Sequence, residues 1–417
     1  MNKEKIYLSL REVKELILFK KLKESPFVGD LLLNIAQKDR SAFNNQLYQL
    51  IDFAEANQLT GDILQSYLKF LLISDENPFT QAAEKNVLTV ESSLYQLAYK
   101  ELTLINKLLK IKLADLLDYF NQSEFNFLTN YSPQKSKNNR IDYNEIIKVD
   151  SSVTEQLIQL NQFFYQSGVG ILNQSSAFYW QNNNLQKINN PDQISFKQLI
   201  SYSKQQQLLI ENTQNFLNDK RAHNVLLYGD SGTGKSSSVK ALLNKFASQG
   251  LRLVEINNQQ IKELPVILKL LSQRGLYFII FMDDLSFEEF ETDYKYLKAI
   301  MEGGIEARPQ NVLFYATSNR RHLVREKWQD RQSEVHKNDI LNEKLSLAER
   351  FGLTIMFNTP EQEKYLEIVH ELAQQEEIEL TAELLDKKAL RWSKWNNGRS
   401  GRSARQFIDQ LLAEKTN

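Results

Sequence analysis

The sequence predicts an α/β fold, a doubly wound parallel sheet followed by a small helical domain and preceded by a mostly α-helical one. Three observations carry that expectation. Residues 229–236 read Gly-Asp-Ser-Gly-Thr-Gly-Lys-Ser, between the apolar run Val225-Leu226-Leu227-Tyr228 and the helical stretch Val239-Lys240-Ala241-Leu242-Leu243. From about residue 196, apolar strand-like runs alternate with helical patterns, as parallel strands joined by crossover helices require. Earlier in the chain, Leu102, Ile105, Leu109, Leu113, Leu116 and Phe120 recur at steps of three and four, which puts them on one helix face.

In chain order, residues 1–128 read as a helical domain, poor in glycine, with Pro26 and Pro78 as its prolines. Residues 129–195 read as a connector. It opens on a polar stretch with Pro133, Lys135 and Asn138, continues in a helix over about 151–166, and ends in an irregular segment with an aromatic cluster at Phe178, Tyr179 and Trp180. Residues 196–358 form the expected α/β core, and 359–417 a helical lid.

The segment 229–236 has the residues that a phosphate cradle needs. Gly229, Gly232 and Gly234 allow the backbone to bend so that the N–H groups of Asp230, Ser231, Thr233 and their neighbours point at phosphate oxygens. The helix that follows, opening with Lys235, Ser236 and Ser237, adds its N-terminal N–H groups and positive dipole end. Lys235 can reach the β- and γ-phosphates, and the Ser236 hydroxyl can ligate Mg²⁺.

Two further runs end in polar residues where open α/β sheets gather their sites. Phe278-Ile279-Ile280-Phe281-Met282 is apolar throughout, as suits a strand covered on both faces, and terminates in Asp283 and Asp284. Asp283 is placed to hold Mg²⁺, and Asp284 to orient an attacking water. Asn311-Val312-Leu313-Phe314-Tyr315-Ala316-Thr317-Ser318-Asn319 is a second buried strand whose Asn319 can hold that water in line; an ordinary strand-to-helix turn is the simpler reading of the same asparagine.

These three segments, in this order, resemble Walker A, Walker B and sensor 1 of an AAA+ P-loop ATPase. Ser346-Leu347-Ala348-Glu349-Arg350-Phe351-Gly352-Leu353 resembles the segment that carries the arginine finger, which implies that role for Arg350. Gly401-Arg402-Ser403-Ala404-Arg405-Gln406-Phe407 resembles sensor 2, with Arg405 first and Arg402 second for the sensing residue. Phe196-Lys197-Gln198-Leu199-Ile200-Ser201 resembles the segment that packs on adenine through Leu199 and Ile200, with Ser201 where a glycine is usual. The runs Asp283-Asp284-Leu285-Ser286-Phe287-Glu288 and Ala316-Thr317-Ser318-Asn319-Arg320-Arg321-His322-Leu323 are similar to a family of bacterial AAA+ ATP-binding proteins without an assigned role. One departure stands out: the usual second acid of Walker B is Glu, and Asp284 is one methylene shorter. A misplacement of about 1 Å can cost ~10²-fold in rate. Glu288, close by, is the alternative catalytic base.

The resemblance implies ATP and Mg²⁺ as cofactors and a homo-oligomer, most simply a ring such as a hexamer, because a finger in trans needs a neighbouring subunit. It implies hydrolysis coupled to remodelling or loading of an unidentified protein partner, held by the N-terminal helices. An ATP-gated scaffold with weak hydrolysis and a DNA-linked loader are the alternatives. Asn257–Leu264 lacks the aromatic-apolar-glycine loop that threads polypeptides, which counts against an unfoldase.

Composition bounds the rest. The chain has 417 residues, 51 Lys plus Arg against 52 Asp plus Glu, and no cysteine. Thiol chemistry, disulfides and zinc-thiolate sites are excluded, and a reducing, cytoplasmic setting is expected. No signal peptide or membrane-spanning run is apparent. A globally basic nucleic-acid binder is not indicated. Arg399, Arg402 and Arg405 lie beside Trp392 and Trp395, which reads as a phosphate sensor with core tryptophans before it reads as a nucleic-acid patch. Arg320, Arg321, Arg325 and Arg331 read as a solvated loop, and His322 and His336 lack metal-ligand spacing.

Overall fold

A computed structural model describes residues 3–134, 143–286, 293–302, 308–319, 349–396 and 398–415. The chain divides into two compact units, residues 1–174 with 274–276, and residues 175–273 with 277–417.

The first unit is helical. Its longer helices are Pro26–Gln37, Arg40–Asn57, Ile63–Ser74, Ser93–Leu109 and Val153–Ser167. The stripe read from the sequence is its core, since Leu102, Ile105, Leu109, Leu113, Leu116 and Phe120 are all buried. Helix starts are capped by side chains. Ser152 Oγ accepts from the Glu155 N–H, and the Glu155 carboxylate accepts from the Ser152 N–H, a reciprocal box that opens Val153–Ser167. Two buried carboxylates knit the unit. Glu101 accepts from the backbone N–H groups of Ile17, Leu18 and Phe19, which lie between helices and have no helical acceptor. Glu84 takes both prongs of the Arg274 guanidinium, at 2.8 and 2.7 Å, together with the N–H groups of Val169 and Gly275. A carboxylate only 1% exposed is tolerable because all four donors converge on it.

The second unit carries a seven-stranded sheet: β1 Ala177–Gln181, β2 Asn184–Lys187, β3 Val225–Gly229, β4 Leu251–Ile256, β5 Tyr277–Met282, β6 Val312–Ser318 and β7 Leu353–Phe357, in the order β2-β1-β4-β5-β6-β3-β7. All pairings are parallel except β1 with β2. β5 and β6 are buried on both faces, which is why their sequences do not alternate. Register positions the site. Met282 pairs with Ala316, which brings Asp283 beside Thr317, and Tyr228 pairs with Ser318, which brings the 229–236 loop beside Asn319. Gly229 has no substitute here: at φ 132° a Cβ would stand 2.1 Å from the Phe357 carbonyl oxygen of β7.

The segment 167–195 is not irregular, as expected from sequence. It holds the β1–β2 hairpin, which extends the sheet beyond β4. Phe178 and Trp180 are buried and Tyr179 and Gln181 are exposed, so period-two alternation runs over only four residues of this five-residue strand, too few to stand out. Its turn is Asn182-Asn183, both at positive φ (52° and 57°), the geometry of a tight hairpin that asparagine tolerates.

After β7, helices Gln362–Gln375, Ala382–Trp395 and Gly401–Lys415 pack around Tyr365, Ile368, Leu372, Ala389, Phe407 and Ile408. Trp392 lies against this core, 6.1 Å from the Phe407 ring centroid. Trp395 does not belong to it, contrary to the sequence expectation: it is 78% exposed, three residues further round the helix.

Candidate nucleotide site

A cavity of about 910 Å³ opens in the second unit, above the C-terminal ends of β3, β5 and β6. The loop after β3 forms its floor. Gly232 and Gly234 take positive φ, and the helix Lys235–Phe246 starts directly behind them. Ser231, Gly232, Thr233, Gly234, Lys235, Ser236 and Ser237 all line the cavity. Asp230 does not. Its carboxylate accepts from the N–H and hydroxyl of Thr359 beyond β7, at 2.8 and 2.6 Å, which ties the loop to the neighbouring strand end and holds its pKa below the usual carboxylate value.

Lys235 is 6% exposed. Its ammonium donates to the carbonyls of Gly229 and Asp230, both at 2.7 Å, and to Asn319 Oδ1 at 3.1 Å. Burial lowers its pKa, against the pull of Asp230, Asp284 and Asp283, and the Arg402 charge lowers it further. Ser236 Oγ donates to Asp283 Oδ1 at 2.6 Å. Asn319 Nδ2 donates to Asp284 Oδ1 at 2.8 Å. Lys235, Ser236, Asp283, Asp284 and Asn319, named from three separate segments, therefore meet in one hydrogen-bonded set.

Thr317 holds this set together and was not singled out from the sequence. Its hydroxyl donates to Asp283 Oδ1 and accepts from the Asp284 N–H at 2.9 Å, while Asp284 sits in left-handed geometry at φ 52°. The available signal was a hydroxyl at the end of a wholly buried strand, which must find polar partners.

Leu199 and Ile200, with Ile368 and Leu372 of the C-terminal helices, make the apolar end of the cavity. The geometry normally served by glycine is met without one, since Ser201 and Tyr202 take φ 80° and 62°. Four contacts hold this turn. Gln206 donates to the Leu199 and Ser201 carbonyls, the Tyr202 hydroxyl donates to the Asn358 carbonyl at 2.5 Å, and the Tyr202 ring packs on Phe357. Burial, with the Asp230 charge second, pushes the Tyr202 phenol up to about 12.

Arg402 and Arg405 both line the cavity, and their surroundings differ. The Arg402 N–H donates to the Gly232 carbonyl at 3.2 Å, and its charge is felt at Lys235. Arg405, one helical turn further, pairs with Glu376 at 2.7 Å. Arg402, named second from sequence, is the one beside the 229–236 loop. Arg350 is exposed and does not line the cavity. Glu288, Arg320, Arg321, Arg325, Arg331, His322 and His336 lie outside the described residues. No group of three or more His, Cys, Asp or Glu side chains poised to hold a metal occurs among the described residues, and no described helix is long and apolar enough to cross a membrane.

The family described as Protein of unknown function (DUF815) matches residues 173–415, more than half of the chain. The chain belongs to this family. No curated protein matches the sequence. Solved structures similar to this DUF815 chain include a lysine-to-arginine variant of RuvB from Thermotoga maritima, with 13% identity and a TM-score of 0.37 over 53% of this chain and 65% of that one. An alanine-to-serine variant of the same protein gives 14% identity and a TM-score of 0.38 over 54% and 66%. The chain thus spans slightly less than two thirds of either. The Thermotoga maritima RuvB Holliday junction branch migration motor gives 13% identity and a TM-score of 0.33 over 52% and 72%. The DUF815 chain has a P-loop AAA+ core: five parallel strands ordered β4-β5-β6-β3-β7, with the phosphate loop after β3 and helices packed beyond β7.

Proposed function

We propose that the chain binds ATP with Mg²⁺ and hydrolyses it as a homo-oligomeric ATPase, using the cycle to remodel or load a protein partner through its N-terminal helical unit. The observation that carries this reading is the convergence of Lys235, Ser236, Asp283, Asp284 and Asn319 on a glycine-bent loop at the C-terminal edge of a parallel sheet. The Ser236 hydroxyl and the Asp283 carboxylate, within hydrogen-bond reach of each other, are hard oxygen donors that suit Mg²⁺ and would hold it. Bound there, the ion would supply charge neutralisation for the phosphates. Lys235 exchanges its two loop carbonyls for phosphate oxygens. Asp284 orients the attacking water, with its carboxylate fixed by Asn319. Leu199, Ile200, Ile368 and Leu372 hold the base, the helices after residue 359 act as the lid, and Arg402 takes the sensor role ahead of Arg405. Arg350, outside the cavity lining, serves a neighbouring subunit.

A slow, switch-like cycle has one specific observation in its favour: the second acid is the shorter Asp284, and its carboxylate is already bonded to Asn319. Binding and turnover on the full chain separate the two readings. Lys235→Ala is expected to weaken ATP–Mg²⁺ binding about 10- to 100-fold, from the ~1.5–3 kcal/mol of a charge-assisted bond, and to remove turnover. Equal affinity in the variant refutes the site; tight binding by the parent chain with no measurable turnover favours the switch.

A further inference from the structure

We propose that the outer face of helix Ala382–Trp395 is a binding site for single-stranded nucleic acid, independent of the nucleotide reading. Lys387, Lys388, Arg391, Lys394 and Trp395 are all exposed. Their spacing of one, three and four residues puts them within about one third of the helix circumference. The opposite face, Leu385, Ala389 and Ser393, is buried in the helical cluster. The stripe is thus a fixed surface on a packed helix, unlike a charged loop. Of the two acidic side chains of the helix, Asp386 lies off it, bonded to His370, and Glu383 stands one turn before Lys387, at the N-terminal end of the stripe. Four cations therefore stand together in a chain whose net charge is −1.

Trp395 distinguishes this stripe from an ordinary solvated face. It is 78% exposed, with the Arg391 guanidinium 5.9 Å from its ring centroid. An apolar ring that size left in water at the end of a cationic row offers what a single strand needs: charges for successive phosphates and a flat surface for an unstacked base. From Lys387 to Trp395 the helix rises about 12 Å, a length that two or three nucleotides cover. A duplex presents no free base face to the indole, so charge and aromatic together select the single strand.

The test titrates the full chain with a fluorescently labelled oligothymidylate, and in parallel with the same length of duplex and with inorganic polyphosphate. Binding of the single strand is expected to quench tryptophan emission and to weaken with salt, with a log–log slope of about −2 for two or three neutralised phosphates at about −0.7 each. Lys387→Glu/Lys388→Glu/Arg391→Glu, all at exposed positions, is expected to reduce affinity more than tenfold, and Trp395→Ala about tenfold. Circular dichroism checks that the variants are folded. Absence of binding, or binding that neither variant alters, overturns the proposal. Equal binding of polyphosphate or duplex with no effect of Trp395→Ala also overturns it, since the face is then a general polyanion site.

Discussion

A single hydroxyl, that of Thr317, sets the backbone of one acid and the carboxylate of the other. Valine matches its shape and removes both bonds. Thr317→Val is expected to leave ATP affinity within a few-fold and to lower turnover about 10- to 100-fold, because the acids keep their chemistry and lose their placement. Steady-state hydrolysis beside equilibrium binding checks this; an unchanged rate would show that the acids are positioned without it. Tyr202 makes a pH-dependent contribution. Its phenol rises from an ordinary value of 10.0 to about 12 on folding, so the folded state holds the proton more tightly. Its contribution is full below pH 10 and is lost as pH rises towards about 12. Alkaline unfolding should therefore come at higher pH in Tyr202→Phe than its neutral-pH stability predicts, followed by phenolate absorbance together with circular dichroism.

Elements are joined in both units by buried charge that is fully paired. In the helical unit, Glu84 depends on Arg274 for two of its bonds. Arg274→Ala leaves that carboxylate buried with only backbone donors, and is expected to cost about 3–5 kcal/mol, read as a lower urea midpoint with an unchanged m-value. Glu84→Gln/Arg274→Ala should recover part of the loss if the unpaired charge is its source. Such pairs are invisible to periodicity, because the partners lie far apart in the chain and each alone looks like a surface residue. The β1–β2 hairpin was hidden for another reason: four alternating residues give little signal, and the Asn182-Asn183 turn is informative only once both flanks are known to be strands.

For the whole molecule, the trans role proposed for Arg350 makes the most demanding prediction. Arg350→Ala is expected to retain ATP affinity and to lose turnover, by ~10³-fold or more if it acts as trans arginines do in phosphoryl transfer. Mixing it with Lys235→Ala should restore part of the activity, one subunit supplying the pocket and the other the arginine. Specific activity should also rise with protein concentration. Turnover from a chain that sediments as a monomer, with no rescue on mixing, would count against an oligomeric site.

The sequence by itself determined the elements whose signal is local. The loop 229–236 was legible as a strand-to-helix turn because its glycines, lysine and serine are contiguous and sit between a strand and a helix. Asp283 and Asp284 were legible because they interrupt an apolar run, and the helical stripe because its period is regular. Tertiary structure alone decided what depends on register and on side chains meeting across the sheet. The pairing of Met282 with Ala316 makes Thr317 the support of both acids. A single turn of helix separates Arg402 at the loop from Arg405 at Glu376. Three residues of rotation put Trp392 against the core and Trp395 in water. Motif spacing identifies residue types at about the right place in the chain. A shift of one strand position, or about 100° of helix rotation, decides which of them face one another, and only packing fixes those.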